Sequence, residues 1–140
     1  MNVREQRRAH LKSSYQMSTI VNCTPHSIDL MEEVDDEWVN RLTIPSSGLL
    51  VRVATDVENV GSVTCDEQEF DVRKRVFGDV TVTDIDGNDV GLPVKDDTFY
   101  VVSLIVAQAL PEREDLLLVD GTIRDDGGRI IGCTGFAVLQ

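Results

Sequence analysis

Lysine is nearly missing from this 140-residue chain: Lys12, Lys74 and Lys95 are the only three. Arginine supplies the other ten of the 13 bases, and acids outnumber bases 25 to 13, for a net charge of −12. Sixteen of the acids are Asp and nine are Glu. An Asp-rich, Lys-poor surface stays hydrated where salt screens charge repulsion. This balance suggests a halophilic protein, with an ordinary acidic protein as the alternative. Either way, such a surface repels phosphates and disfavours sequence-independent binding to nucleic acid.

Cysteine is also scarce. Cys23, Cys65 and Cys133 are odd in number and widely spaced, which excludes a simple disulfide framework and favours free thiols in a reducing cytoplasm. No apolar run approaches the roughly 18 to 20 residues that span a bilayer. Arg4, Arg7, Arg8 and Lys12 are followed by no apolar stretch of signal-peptide length, so export is not expected. What is present is enough apolar residue (41%) for one domain with a real core.

Residues 1 to 16 stand apart, with four bases against one acid, while the remainder carries −15. "REQRRAHLKSSY" has the pattern of a short amphipathic helix with Leu11 and Tyr15 to one side. It is either a basic arm for an acidic body or partner, or dispensable sequence ahead of a start at Met17. Residues 17 to 140 read as a single β-rich domain. Runs rich in Val, Ile, Thr and aromatics predict strands over 19–22, 27–31, 37–42, 49–54, 61–65, 75–83, 98–102, 116–119, 129–133 and 136–139. "PSSG" at 45–48, "DGN" at 86–88 and "DDGG" at 125–128 predict turns. "SLIVAQAL" predicts one helix near 103–110, capped at Ser103, stopped by Pro111 and apolar enough to be buried. The expected fold is α+β, predominantly β: a compact barrel-like or sandwich-like domain of short antiparallel strands with one buried helix.

Few constellations carry chemistry. Cys23-x-x-His26 has a ligand-like spacing but no second close pair, so no metal is expected. "DIDGND" echoes a calcium loop, yet its glycine comes too early and Lys95 stands where a bidentate Glu belongs, so a hairpin turn is the better reading. No G-x-S-x-G, H-E-x-x-H or G-x-x-x-x-G-K-[ST] occurs. No catalytic residue and no cofactor is assigned. The stretch "IVNCTPHSIDL" poses the sharper question. Pro25 breaks an extended run, and Asn22, Thr24 and His26 alternate, so they could face one side together. They form either a ligand site or a bend whose polar groups bond their own backbone.

"VNCTPHSI", "IPSSGLLVRV", "GLP", "FYVVSLIVAQAL" and "RDDGGRIIGCTGF" occur in that order. Together they resemble a family of small proteins common in actinobacterial, haloarchaeal and tailed-virus or prophage genomes. Its members read V-N-L-T-P-H, I-P-P-S-G-x-x-A-R-V, G-L-P, Y-I-V-S-x-L-V and R-D-x-x-G-x-x-I-G-C-x-G. The resemblance covers roughly residues 20 to 136. Cys23, Ser46 and Val51 depart from the usual Leu, Pro and Ala. The family's polar positions fall on Asn22, Thr24, His26, Ser47, Arg52, Ser103, Arg124 and Cys133. The resemblance implies a viral or prophage accessory protein.

The expectation from the sequence is a cytoplasmic, non-enzymatic binder of a small anionic ligand, nucleotide derivatives included. Asn22, Thr24, His26 and Ser103 would supply polar contacts, and Arg52 and Arg124 would meet the anion with their planar forks. The runner-up is a virion structural or assembly protein that self-associates. A small hydrolase using His26 as base comes third. Neither a membrane nor direct nucleic-acid contact is expected.

Overall fold

The computed structural model describes residues 17 to 139; the arm expected at 1 to 16 lies outside them. In chain order the elements are β1 (Thr19–Asn22), β2 (Ile28–Val34), β3 (Glu37–Ile44), β4 (Leu50–Cys65), β5 (Gln68–Thr83), β6 (Thr98–Val101), α1 (Leu104–Ala109), β7 (Leu116–Arg124) and β8 (Ile130–Ala137). Six strands form one sheet in the order β1-β6-β7-β8-β2-β3, and β4 pairs with β5 as a separate ribbon.

The run "FYVV" supplies most of β6, an interior strand between β1 and β7. Phe99, Tyr100, Val101 and Val102 are all buried. Phe99 and Val101 enter one apolar cluster, while Tyr100 and Val102 enter another. A strand covered on both faces must be apolar at every position, which is why no alternation shows there. The Phe99–Val101 cluster takes Ile20 from β1, Ile28 and Leu30 from β2, Ile44 from β3, Leu117 from β7, and Cys133 and Phe136 from β8. All six strands of the sheet therefore contribute to one interior, so the sheet curls into a nearly closed barrel.

The other cluster lies on the outer face. There Tyr100, Val102 and Leu116 pack with Val106 and Ala107 of α1 and with Val51, Val53 and Val82 from the base of the ribbon. The helix begins after Ser103, and Leu110, next to Pro111, returns its N–H to Val106 and Ala107. Burial is confined to Val106 and Ala107, and Leu104 and Ile105 are exposed. The helix covers one face of the sheet and does not cross it.

The expected β-rich domain with one short helix is what forms, with two additions. Three pairings are parallel: β1 with β6, β6 with β7, and β2 with β8. The second concerns strand length, because the segments expected at 49–54 and 61–65 are one 16-residue strand, β4. The stretch between them is not a loop but carries an irregularity within the ladder, between Asn59 and Gly61. An extra residue in one strand bends and twists a ribbon without ending it.

"DIDGN" and "DDGGR" form the same turn twice. Asp84 Oδ1 accepts the N–H groups of Asp86 and Asn88, each at 2.9 Å, and Asp125 Oδ1 accepts those of Gly127 and Arg129, also at 2.9 Å. The glycines Gly87 and Gly128 sit at φ 84° and 81°, where a side chain is disfavoured. The Asn88 N–H in particular holds the Asp84 carboxyl below its ordinary range.

Candidate functional site

The "NCTPH" stretch is where the barrel closes. Strand β1 is one edge of the sheet and β3 is the other. Asn22, at the end of β1, is 1% exposed. A primary amide buried that deeply needs partners for both N–H groups and for its oxygen. Asn22 Nδ2 donates to the His26 carbonyl at 2.8 Å and to the Ile44 carbonyl, at the end of β3, at 3.1 Å. Its Oδ1 accepts the Thr24 N–H at 2.9 Å and lies 2.6 Å from the Thr24 hydroxyl.

The main chain completes the junction. The Asn22 carbonyl accepts both the N–H of Ser47 at 2.9 Å and its hydroxyl at 2.7 Å. The Ser46 hydroxyl donates to the Thr24 carbonyl at 2.7 Å. The two polar motifs at 22–26 and 45–48 are therefore halves of one clasp that joins the edge strands. From the sequence, "PSSG" is expected as a turn, with Ser47 a polar position of the resemblance but not a partner of Asn22. The two serines were the available signal, since two hydroxyls ahead of a strand must bond something.

Of the residues expected to form a ligand site, Asn22 and Thr24 meet through their side chains, and His26 joins them through its carbonyl. The imidazole is exposed and enters none of the hydrogen bonds among the described residues. The other three lie elsewhere. Arg52 is exposed on β4, opposite Thr81. Ser103 is the exposed N-cap of α1, with no side-chain capping bond. Arg124 ends β7 and donates from Nη1 to the Gly128 carbonyl at 2.8 Å, within its own hairpin.

An open groove of about 440 Å³ runs beside the clasp, lined by Thr24, His26, Ser27, Ile130, Ile131 and Cys133 among others. Neither Arg52 nor Arg124 lines it. Burial pushes the Cys133 thiol up from its ordinary value, the opposite of what a nucleophilic cysteine needs. Burial likewise raises the Cys23 thiol to about 11, against a smaller lowering by Ser47. Cys23 packs in the outer cluster, Cys133 in the interior one, and Cys65 is exposed on the ribbon, so the thiols do not converge. Among the described residues no three of His, Cys, Asp and Glu gather as a metal would require.

Because His26 serves through its carbonyl, His26→Ala is expected to shift stability by no more than about 0.5 kcal/mol, as exposed positions usually do. Chemical denaturation measures this. A loss of 2 kcal/mol or so would show that the ring has a structural partner.

The largest exposed feature is the β4–β5 ribbon. Each strand has 16 residues, about 50 Å at the usual rise. Only its base, through Val51, Val53 and Val82, is packed against the body. Beyond the irregularity at Asn59–Gly61, the register sets Val63 opposite Phe70 and Gly61 opposite Val72. Paired residues share a face, so Val63, Phe70 and Val72 line one side. Val63 and Phe70 are 54% and 51% exposed. The opposite side is polar, where Ser62 donates to Glu69 at 2.7 Å and Arg73 lies 3.5 Å from Asp71.

Both long hairpins turn through two left-handed residues, Asp35–Asp36 (φ 51° and 64°) and Asp66–Glu67 (φ 50° and 65°). Such turns match the twist of the flanking strands. The shorter hairpin, β2–β3, also exposes apolar residues, among them Trp38 and Leu42. No helix among the described residues is long and apolar enough to cross a membrane. Comparison with known proteins finds no matching family model, no matching curated protein and no matching solved structure.

Proposed function

We propose that the protein is a structural or assembly subunit that joins its neighbours through the β4–β5 ribbon. The observation behind this reading is the apolar face formed by Val63, Phe70 and Val72 on a ribbon that the body does not cover. A two-stranded ribbon alone in water is marginal at best, and three or more strands or a packing partner are needed to hold it. Exposed apolar surface rimmed by charge marks contact with another molecule. The order of the sequence motifs supports placing this subunit in a tailed virus or prophage. The Asp-rich composition supports a salty host cytoplasm as the place of assembly.

The test is sedimentation of the full chain in molar potassium chloride, with Phe70→Asp as the variant. The parent chain is expected to sediment as an oligomer and the variant as a monomer. Melting of the body should stay unchanged, because Phe70 touches no buried cluster. A parent chain that stays monomeric at its solubility limit would overturn the reading.

The groove beside the clasp favours a second reading, a non-enzymatic binder of a small ligand, although the two arginines expected to meet an anion do not line it. Thr24, His26 and Ser27 supply polar groups at its rim, and Ile130 and Ile131 supply an apolar wall. Native mass spectrometry of the purified chain would reveal a retained ligand, and His26→Ala should release it.

A further inference from the structure

We infer that residues 1 to 16 dock on the body of their own chain, where Leu11 and Tyr15 cover the open mouth of the barrel and the arm's bases meet an acidic rim. The two ends of the barrel differ. Where β1 finishes, the clasp closes the sheet, and the interior residues nearest to it, Val101, Ile28 and Cys133, are buried. At the other end β1, β6 and β7 begin and β8 finishes, because the first three run parallel and β8 returns beside β7. There the interior is open. Ile20, Phe99, Leu117, Phe136 and Val138, all of the interior cluster, line a cavity of about 520 Å³ together with Ser18. Ile20, Phe136 and Val138 are only partly buried.

The rim beside this mouth is acidic. The loops that lead into β6 and β7 form a cleft of about 510 Å³ that shares Phe99 with the mouth. Five acids line it, Asp96, Asp97, Glu112, Glu114 and Asp115, against Lys95 and Arg113, for a net −3. Arg113 forks onto Asp115 at 2.9 and 2.7 Å. Asp96, Glu112 and Glu114 are exposed and enter none of the ion pairs among the described residues. An acidic cleft beside accessible core residues suits a basic segment that carries apolar side chains.

Residues 1 to 16 are such a segment, and they are tethered at the right place. Their four bases and one acid give a net +3, equal and opposite to the cleft. Ser18 lines the mouth, and the Thr19 N–H donates to the Asp97 carbonyl at 2.7 Å. Three residues span about 10 Å at most, so Tyr15 stays beside Ser18 whatever path the chain takes. Leu11 is one turn back in the amphipathic pattern. Arg8, Arg7 and Arg4 follow farther from the tether, within reach of the acidic loops. The tether also selects the occupant, because it holds the arm at an effective concentration of about millimolar that a separate basic segment must match.

Two experiments on the full chain test this, at the lowest salt that preserves cooperative melting, because molar salt screens charge beyond about 3 Å. The first needs no substitution, since Lys12 is the only lysine ahead of Lys74. A carbodiimide joins a lysine amine to a carboxylate in contact with it, and peptide mass spectrometry locates the link. Lys12 is expected to join mainly to Asp96, Asp97, Glu112 or Glu114 of the same chain. Links mainly elsewhere, such as to the acidic turn of the β2–β3 hairpin, links mainly between chains, or none at all would overturn the docking.

The second compares amide hydrogen exchange in the parent and in Leu11→Asp with Tyr15→Asp. The Thr19 and Thr98 amides, bonded to the Asp97 and Lys95 carbonyls at the mouth, should exchange about tenfold faster in the variant. The Thr24 and Ser47 amides, held in the clasp at the far end, should be unchanged. No acceleration at the mouth, or equal acceleration at both ends, overturns the proposal. The ribbon takes no part in either measurement, so the assembly reading stands or falls separately.

Discussion

Asn22→Ala is expected to destabilise the protein by about 3 kcal/mol. The substitution removes an amide that is 1% exposed. It leaves the His26 and Ile44 carbonyls without that donor and the Thr24 N–H without its acceptor. Each unsatisfied buried group costs on the order of 1–3 kcal/mol, with water recovering part of the sum. Asn22→Asp keeps the shape but turns a donor into a charged acceptor beside two carbonyls, so it should cost at least as much at neutral pH. Ser47→Ala removes one hydroxyl and keeps the main-chain bond to Asn22, so about 1 kcal/mol is expected. Urea denaturation of the three variants measures the series. If Asn22→Ala costs no more than Ser47→Ala, the closure of the barrel does not depend on that amide.

Gly132→Ala should be nearly as damaging, at about 2–3 kcal/mol, for a steric reason. A Cβ at Gly132 would lie 2.7 Å from the Asp29 carbonyl oxygen and 2.5 Å from Met31 Sδ. The methionine can swing away, but the carbonyl belongs to β2. Strand β2 pairs with β8 only at Leu30 and Cys133, so a small backbone shift there threatens the join between two halves of the sheet. Gly135, three residues along the same strand, is the control. Nothing lies within 4 Å of a Cβ built there, and its backbone is of ordinary sign. Gly135→Ala should therefore stay within about 0.5 kcal/mol of the parent. Equal losses at the two positions in a denaturant titration would refute close approach as the reason for Gly132.

The two variants probe different parts of the same closure. Gly132 lets β8 come near β2, and Asn22 ties β1 to β3 once the sheet has curled. Both lie beside the groove lined by Thr24, His26 and Cys133. Neither touches the distal ribbon, so the association proposed through Val63 and Phe70 can be tested apart from the integrity of the body.

Much of this protein is legible in short windows of sequence, where the physics is local. The turns at "DIDGN" and "DDGGR" follow from an Asp that can reach the N–H groups two and four residues on. The helix is bounded by Ser103 and Pro111. "FYVV" is legible as a strand, and its lack of alternation fits the burial of β6 on both faces. The candidate site is less legible, because its partners are far apart in the chain. Asn22 meets Ile44 and Ser47 across 22 and 25 residues, and no periodicity relates such positions. "NCTPH" by itself shows that polar groups gather at a break. Only the approach of the β3 edge makes them a clasp, with the His26 carbonyl used in place of its ring. The parallel pairings are equally beyond sequence patterning, because alternation marks which face is apolar and not which strand lies alongside. For the same reason β4 and β5 show an apolar face in sequence, while only the tertiary structure decides that the body covers its base and leaves Val63 and Phe70 exposed.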